Sequence, residues 1–513
     1  MSVSNSLLTS SISSVARRRR SGEAAMRNRI IWVGGGPTPE IERQLTERWL
    51  QLDKRSAETA VEALANGRVL VISCASAADP FLPIAKERLI DQALRHGLMV
   101  RVIAPLENLG EVQTAVKTQF FRAEKLDAAE HLGEFCESCA RFDPGPDFSH
   151  LVAIEGAQSL DSEQIILLRR AFFDCTRVHL KRLEGGRSAT VFLAHAELAD
   201  SRAGAYPLPF FAKLDRRTKI ERELKNYREC TTLFVPFYAR PNIDEARCVL
   251  GAEYGLIVGN FVEQSEPLSA VVETGRGQSA INSLFEDALR GWRWQAHHRG
   301  YGMMVQRPIS QSMGGALYNK PANRRLIGYA TEAAKIGPVA TPDAIAQMLD
   351  NLPATPHMVA LSHGDLHGNN VRVRLGGQAI LIDFASVTTA PLVSDPSHLE
   401  VSLAFHAMAA EKDWRETMTA LYAPDALSSV PAPRTPTSPL SELWDTVRQI
   451  RRVGLGDEKT QGEYMSAIAV MLLRKASHER DENEQGSRRP YLVWLADRIT
   501  NHLKARQPGK ADR

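Results

Sequence analysis

Residues 362–370 read Ser-His-Gly-Asp-Leu-His-Gly-Asn-Asn, and Ile382-Asp383-Phe384-Ala385 follows a short distance on. Between them Val371, Val373 and Leu375 alternate with Arg372 and Arg374, Gly376-Gly377 interrupts, and Gln378-Ala379-Ile380-Leu381 resumes. Alternating runs on either side of a glycine pair predict a β-hairpin closed by a two-residue turn of the primed type. With such a turn the register sets Asn370 opposite Asp383, about 5 Å away across the strands. An amide and a carboxylate side by side offer hard oxygen atoms, the donor set that Mg2+ takes. The loop ahead of the hairpin adds Asp365, bracketed by His363 and His367. A histidine there can orient the loop or act as a proton partner, with a structural hydrogen bond the favoured role; for the whole constellation the competing reading is a polar loop before an ordinary hairpin.

Two further pieces lie upstream. Val178–Leu183, the loop Glu184-Gly185-Gly186-Arg187-Ser188-Ala189-Thr190 and Val191–Ala196 read strand, glycine-rich loop, strand. Backbone N–H groups around Gly185, Gly186 and Ser188 would lie over phosphates. Next, Phe210-Phe211-Ala212-Lys213-Leu214 places a lysine in an apolar strand, where it needs a partner. In the following helix Ile220, Leu224 and Tyr227 mark the buried stripe; Glu223 lies within it and Glu221 toward its edge. The expected pair is Lys213–Glu223, against the alternative of a lysine that snorkels to solvent. Tyr254–Val262 is another apolar strand, and the segment from Glu263 to Leu268 stands where a hinge would meet a nucleotide base.

Together, residues 178–405 resemble the kinase-like phosphotransferase superfamily, on its aminoglycoside- and choline-kinase side. Asp365 and Asn370 have the D-x-x-x-x-N spacing of its catalytic loop. HGDLHGNN followed by IDFA is similar to the bacterial ternary complex associated domain proteins of conflict systems. The resemblance implies a two-lobed α+β protein-kinase-like fold, with an N-lobe over 166–262 and a helical C-lobe over 263–506. It implies ATP and Mg2+ as cofactors, Asp365 as catalytic base beside His363 and His367, Asn370 and Asp383 as metal ligands, and Lys213 as the phosphate lysine. The chain also departs from the pattern. Gly368 stands where the aminoglycoside enzymes usually carry proline, Ala385 replaces the glycine of D-F-G, and no A-P-E segment is evident. Asp395 either braces the catalytic loop or caps the helix that starts there.

Residues 27–108 read as a small α/β doubly wound domain. Continuous apolar strands at Arg29–Val33, Val69–Cys74 and Met99–Ala104 are separated by helical stretches, the mark of a parallel sheet covered on both faces. The order resembles a response-regulator receiver without its chemistry. Gly34-Gly35-Gly36 stands where an acidic pair would hold magnesium, and Cys74 where a phospho-accepting aspartate belongs; Asp79 lies five residues further on. The glycines could cradle a phosphate, but Pro39 occupies the position of a third glycine, so a tight turn is expected. Residues 109–165 read as a helical connector. Cys136 and Cys139 with His131 would make three zinc ligands without a fourth, whereas two cysteines at i, i+3 fill one buried helix face. Val430–Pro439 is a proline-rich loop.

The chain has 513 residues, with 63 Lys+Arg against 60 Asp+Glu. The excess is local: residues 1–30 hold six Arg and one Glu, leaving 57 basic and 59 acidic residues elsewhere. That balance excludes a globally basic nucleic-acid binder. No apolar run is long enough to span a bilayer, and six Cys make no disulfide framework, which suits a reducing cytoplasm. Residues 1–26 read as a basic, Ser-rich tail, with a transit peptide as the alternative, and 507–513 as a second tail. The expected activity is ATP- and Mg2+-dependent transfer of a phosphoryl group to a hydroxyl of an unknown small molecule or protein. A nucleotide-binding signalling module, using the receiver-like domain as its partner surface, is the alternative. Nucleotidyl transfer on the same fold is a third reading.

Overall fold

Strand β1 (Arg29–Gly34) is paired on both sides by parallel neighbours, β2 (Gln51–Arg55) and β3 (Gly67–Ser73). β4 (Met99–Ile103) and the two-residue β5 (Ala123–Glu124) extend the sheet, in the order β2-β1-β3-β4-β5. The computed structural model describes residues 28–80, 89–108, 110–112, 123–124, 129–142, 149–183, 189–199, 209–251, 253–296, 303–313, 320–478 and 488–506. Period-2 alternation divides the apolar residues of this sheet between two faces. Ile30, Trp32, Val69 and Val71 pack with helices α1 (Pro39–Glu47) and α4 (Ala129–Arg141). Ile31, Val33, Leu70, Ile72 and Val100 pack with α2 (Ala57–Ala63) and α3 (Ile90–Arg95). Both faces are therefore covered, as in a doubly wound sheet.

The stretch expected as a helical connector divides between two sheets. β5 completes the parallel sheet, and α4 covers it with Leu132, Phe135, Cys136 and Cys139 in the core. The two cysteines thus occupy a buried helix face. Further on, β6 (Ala153–Glu155) pairs parallel with β7 (Cys175–Arg182) and joins the second sheet, so the boundary expected at 165 falls inside helix α5 (Ser162–Ala171). That sheet continues through β8 (Thr190–Leu198), β9 (Phe210–Arg216), β11 (Tyr254–Asn260) and β10 (Val249–Leu250), in the order β10-β11-β9-β8-β7-β6. α5 serves two cores: Ile166 packs with Trp32 and Phe135, while Leu167, Leu168 and Ala171 pack with Val178, Phe192 and Leu256. Glu163 fastens it by accepting the N–H groups of Glu253 and Tyr254.

The chain divides into two units, residues 1–224 with 242–261, and residues 225–241 with 262–513. The second unit is largely helical but holds two small sheets. One joins β12 (Ser265–Pro267), β15 (Val371–Arg374) and β16 (Ala379–Leu381); the other joins β13 (Met303–Arg307), β14 (Thr355–Ser362) and β17 (Thr388–Pro391). Helix α8 (Ser394–His406) is buried on every side, against α9 (Ser441–Gly456) and α10 (Glu463–Ser477). A buried charge there needs a partner, and Glu400 of α8 has two: Arg451 at 2.5 Å and the Tyr464 hydroxyl at 2.8 Å. The first turn of α11 (Arg488–Ala505) finishes two of these helices. Arg488 donates to the carbonyls of Phe405 and Ala407, and Arg489 to those of Lys475 and His478. Among the described residues no helix is long and apolar enough to cross a membrane.

Candidate active site

β14 delivers the 362–370 loop onto the start of α8, and Asp395 holds it there. Its carboxylate accepts the Ser362 hydroxyl at 2.8 Å, the His363 N–H at 2.8 Å and the Gly364 N–H at 3.3 Å. It caps no N–H of its own helix, so of its two expected roles it performs the bracing one. Gly364 has φ +74°, and a Cβ there would fall 2.2 Å from the Ser386 carbonyl oxygen. Only glycine fits that turn.

The loop closes on itself at Asp365. The Asn370 side-chain amide donates to the Asp365 carbonyl at 2.9 Å, which fixes the backbone behind the carboxylate. The carboxylate is 41% exposed and lies between two imidazoles, 3.8 Å from His367 Nε2 and 3.7 Å from His398 Nε2. Those separations are electrostatic contacts, longer than hydrogen bonds. His367 Nδ1 accepts the Asn369 N–H, so the neutral ring carries its proton on Nε2, the nitrogen beside Asp365. Burial holds His367 below the ordinary imidazole pKa, against the opposing pull of Asp365. Burial, with Arg474 next, holds the fully buried His398 well below it.

The hairpin forms, but its register is one residue away from the expected one. Val371 pairs with Leu381 and Val373 with Ala379, and Arg374 N–H donates to the Gln378 carbonyl. The turn is therefore a three-residue loop, Leu375-Gly376-Gly377, with Gly377 left-handed at φ +86°. A glycine pair suits this loop as well as the two-residue one. The observed register places Val371, Val373, Ala379 and Leu381 together on a buried face. Asn370 consequently faces Ile382, whose N–H it accepts, and not Asp383. Asp383 leaves the ladder with φ +66° and ψ +77°. It acts on His367 as a nearby negative charge, as Asp365 does, so one imidazole feels both carboxylates. The nitrogen of the Asn370 side chain is engaged by Asp365, which leaves the oxygen as its remaining donor atom. That oxygen and the Asp383 carboxylate are hard donors of the type Mg2+ accepts, and Mg2+ completes its shell with water and phosphate.

His363 is turned into the interior. It is fully buried, its Nε2–H donates to the Ile382 carbonyl at 3.0 Å, and its ring packs 6.0 Å from Phe384. It therefore holds the Asp383 segment against the loop, and the catalytic role expected of it is corrected to a positioning one. In the first unit Lys213 and Glu223 pair at 2.8 Å, both nearly buried. Alternation along β9 sends Ala212 and Leu214 into the α5-side core and Lys213 to the other face. Helix α6 (Arg217–Asn226) buries Ile220, Glu223 and Leu224 and leaves Glu221 to Arg217. Gly185, Gly186 and Ser188 lie outside the described residues, and Glu263 is exposed after β11.

A family model, ternary complex associated domain 9, matches residues 324–465. No curated protein matches the chain. Among solved structures, aminoglycoside phosphotransferase APH(4)-Ia aligns with 63% of this chain and 93% of its own, at 12% identity and a TM-score of 0.34. A glucosamine kinase aligns with 65% and 92%, at 13% identity and 0.28. Aminoglycoside phosphotransferase APH(3'')-Id of Streptomyces rimosus aligns with 57% and 99%, at 12% and 0.28. At such distances any functional reading of this chain has to stand on the site itself.

Two contributors escaped the sequence reading. His398 follows Asp395 by three residues on α8, a spacing that puts both on one helix face; that spacing was the available signal. Asn226, at the end of α6, donates to the Phe384 carbonyl at 2.9 Å and steadies the segment after Asp383. Nothing local in the sequence marks it.

Proposed function

We propose that the chain is an ATP- and Mg2+-dependent phosphotransferase that moves the γ-phosphoryl group of ATP to a hydroxyl of a small molecule or protein. The observation that carries this reading is Asp365: a solvent-reachable carboxylate on a backbone locked by Asn370, steadied from behind by Asp395. Such a carboxylate aligns the acceptor hydroxyl and takes its proton as the oxygen attacks phosphorus. The new O–P bond forms as the bond from phosphorus to the bridging oxygen breaks, and ADP leaves. His367 and His398, held below the ordinary imidazole pKa by burial, stand beside the Asp365 carboxylate as neutral rings and form no ion pair that would blunt it as a base. Asn370 and Asp383 would hold Mg2+, which when bound neutralises charge on the phosphates. Lys213, oriented by Glu223, would contact the phosphates. We further place the protein in the cytoplasm and read the α/β domain as a surface for a protein partner.

The test uses the full chain with γ- and α-labelled ATP, Mg2+ or Mn2+, and a cell lysate as the source of acceptors. Transfer of γ-label that is lost in Asp365→Asn supports phosphotransfer. Transfer of α-label would replace it with nucleotidyl transfer, and nucleotide binding without transfer of either label would replace it with a binding module.

A further inference from the structure

A cavity of about 320 Å3 lies in the second unit, between α7 (Leu268–Glu273), the end of α8 and the start of α9. That volume is at the small end of the range for ligand sites, roughly 300–1,000 Å3. Its walls are mainly apolar, with Val272, Leu403, Leu440, Leu443 and the 74% exposed Met408. The 362–370 loop lies behind one wall. A Cβ on Gly368 would fall 2.9 Å from the Leu403 side chain and 3.2 Å from Ser269, and the Ser269 hydroxyl donates to Asn369 Oδ1 at 3.0 Å. Asp365 does not line the cavity. Along α8, His406 of the cavity comes eight residues after His398, the neighbour of Asp365, a rise of about 12 Å.

The polar side chains on the walls divide into engaged and unengaged. Ser269 donates to Asn369, the Ser441 hydroxyl donates to the Pro436 carbonyl, and His406 Nε2 accepts from Lys475. Glu273 and Glu442 remain, and among the described residues neither carboxylate meets a cation or a hydrogen-bond donor. Glu442 reaches the turn that follows Glu273: a Cβ on Gly275 would fall 2.8 Å from its carboxylate oxygen. Two carboxylates beside apolar walls, with the nearby Lys475 engaged by His406, fit a compound with an apolar body and a positively charged head. Among the described residues no Phe, Tyr or Trp lines the cavity, so a quaternary ammonium would find no benzene or indole face. A primary ammonium can instead give its N–H groups to the carboxylates. We propose that this cavity binds an alkyl primary amine, with its chain among Val272, Leu403 and Leu443 and its ammonium held by Glu273 and Glu442. A bound amine would touch Leu403 and Ser269, the residues on which the 362–370 loop rests. The site is separate from Asp365 and independent of its role as base.

Calorimetric titration of the full chain, without nucleotide, at neutral pH and fixed ionic strength, compares hexylamine with hexyltrimethylammonium, hexanoate and hexanol. These compounds share an apolar chain and differ in the head. Hexylamine should bind saturably and more tightly than the other three. Glu273→Gln combined with Glu442→Gln should weaken it at least about fivefold, the scale of two exposed charge contacts. Met408→Lys, which sets a like charge on the same wall, should weaken it as well. All three positions are exposed, so the fold should be kept, and melting temperatures without ligand check that. Asp365→Asn should bind hexylamine as wild type does. Equal or tighter binding of any of the other three compounds, no saturable binding of hexylamine, or an affinity unchanged in the double glutamine variant or in Met408→Lys overturns the proposal. Loss of hexylamine binding in Asp365→Asn overturns it too, because the amine would then sit at the reacting carboxylate.

Discussion

The parallel sheet of the first unit and the loop–hairpin of the second both end strands in polar loops, yet they treat polar groups differently. At the end of β3 the polar groups are satisfied locally. Asp79 accepts the N–H groups of Ala75 and Ser76, and burial, with the Asp79 charge next, pushes the Cys74 thiol up to about 11. In the second unit the buried polar residues are incompletely matched. His363 and His398 each keep an unpartnered Nδ1, and Asp383 is left-handed without being glycine. Strained or unsatisfied groups of that kind persist where surrounding structure over-determines them, and they gather at functional sites. The loop after β3 is closed by its own groups, whereas the loop–hairpin region holds imidazole nitrogens without partners.

Substitutions can break that contrast, and the largest effect is expected at Asp365. Asp365→Asn keeps the side chain's size and the backbone bond from Asn370, so nucleotide affinity should change less than about threefold. Turnover should fall by about 10²–10⁴ as the proton acceptor is lost. Steady-state rates with nucleotide titrations check this, and a variant that matches wild type removes Asp365 as base. Asp395→Ala comes next. It leaves the buried His363 N–H and the Ser362 hydroxyl without their acceptor, at about 1–3 kcal/mol each, so denaturant unfolding should report a loss of about 3 kcal/mol together with impaired turnover. Asp79→Ala, in the better-satisfied loop, should cost about 1 kcal/mol and leave turnover alone; equal costs at the two aspartates would erase the comparison.

Acidification should separate the regions further. His398 has its pKa lowered by burial, so the unfolded chain binds a proton that the native state refuses. Stability is full above about pH 6.5, the unfolded imidazole value, and falls below it toward the lowered native value, by about 1.4 kcal/mol per pH unit for one such histidine. Melting curves from pH 7.5 to 5 should be steeper for wild type than for His398→Gln; parallel curves would show that His398 is protonated in the native state. Asp383→Ala should weaken nucleotide binding only when Mg2+ is present, and metal-independent binding of equal strength in both proteins would remove Asp383 from the cation site. The smallest effect is expected in the first sheet. A small phosphodonor with Mg2+ should leave the mass of the chain unchanged, because β3 is followed by Cys74 and not by an aspartate, and Asp79 is engaged by backbone; an acyl-phosphate on Asp79 would contradict this.

Helical periodicity was enough to pair Lys213 with Glu223, since Ile220, Leu224 and Tyr227 define the face on which Glu223 lies. Spacing was likewise enough to bring Asp365 and Asn370 together. Other parts left weaker marks. β2, Gln-Leu-Asp-Lys-Arg, is an edge strand whose polar side chains face solvent, so no apolar run announces it. β5 has two residues, too few for any period, and its absence from the sequence reading made a connector of what is sheet. Gly376-Gly377 suits two loop lengths, and the choice depends on how Val371 and Leu381 bury together, which is a tertiary fact. Asn226 acts through a contact with a distant segment and carries no local pattern, whereas His398 shares a helix face with Asp395 but meets Asp365 only through the fold.

The hydrogen bonds from Arg488 to the end of α8 bear on how the protein is made. A ribosome releases Ala407 roughly 80 residues before Arg488, a delay of roughly 4–16 s at about 5–20 residues per second. Until then the carbonyls of Phe405 and Ala407 have no guanidinium to meet, and the end of α10 waits for Arg489 in the same way. A nascent or prematurely terminated chain therefore carries the whole 362–370 loop without the finished helices beneath it. Chains that stop short of α11 should leave these carbonyls without their guanidinium partners and be cut by protease more readily than the full chain.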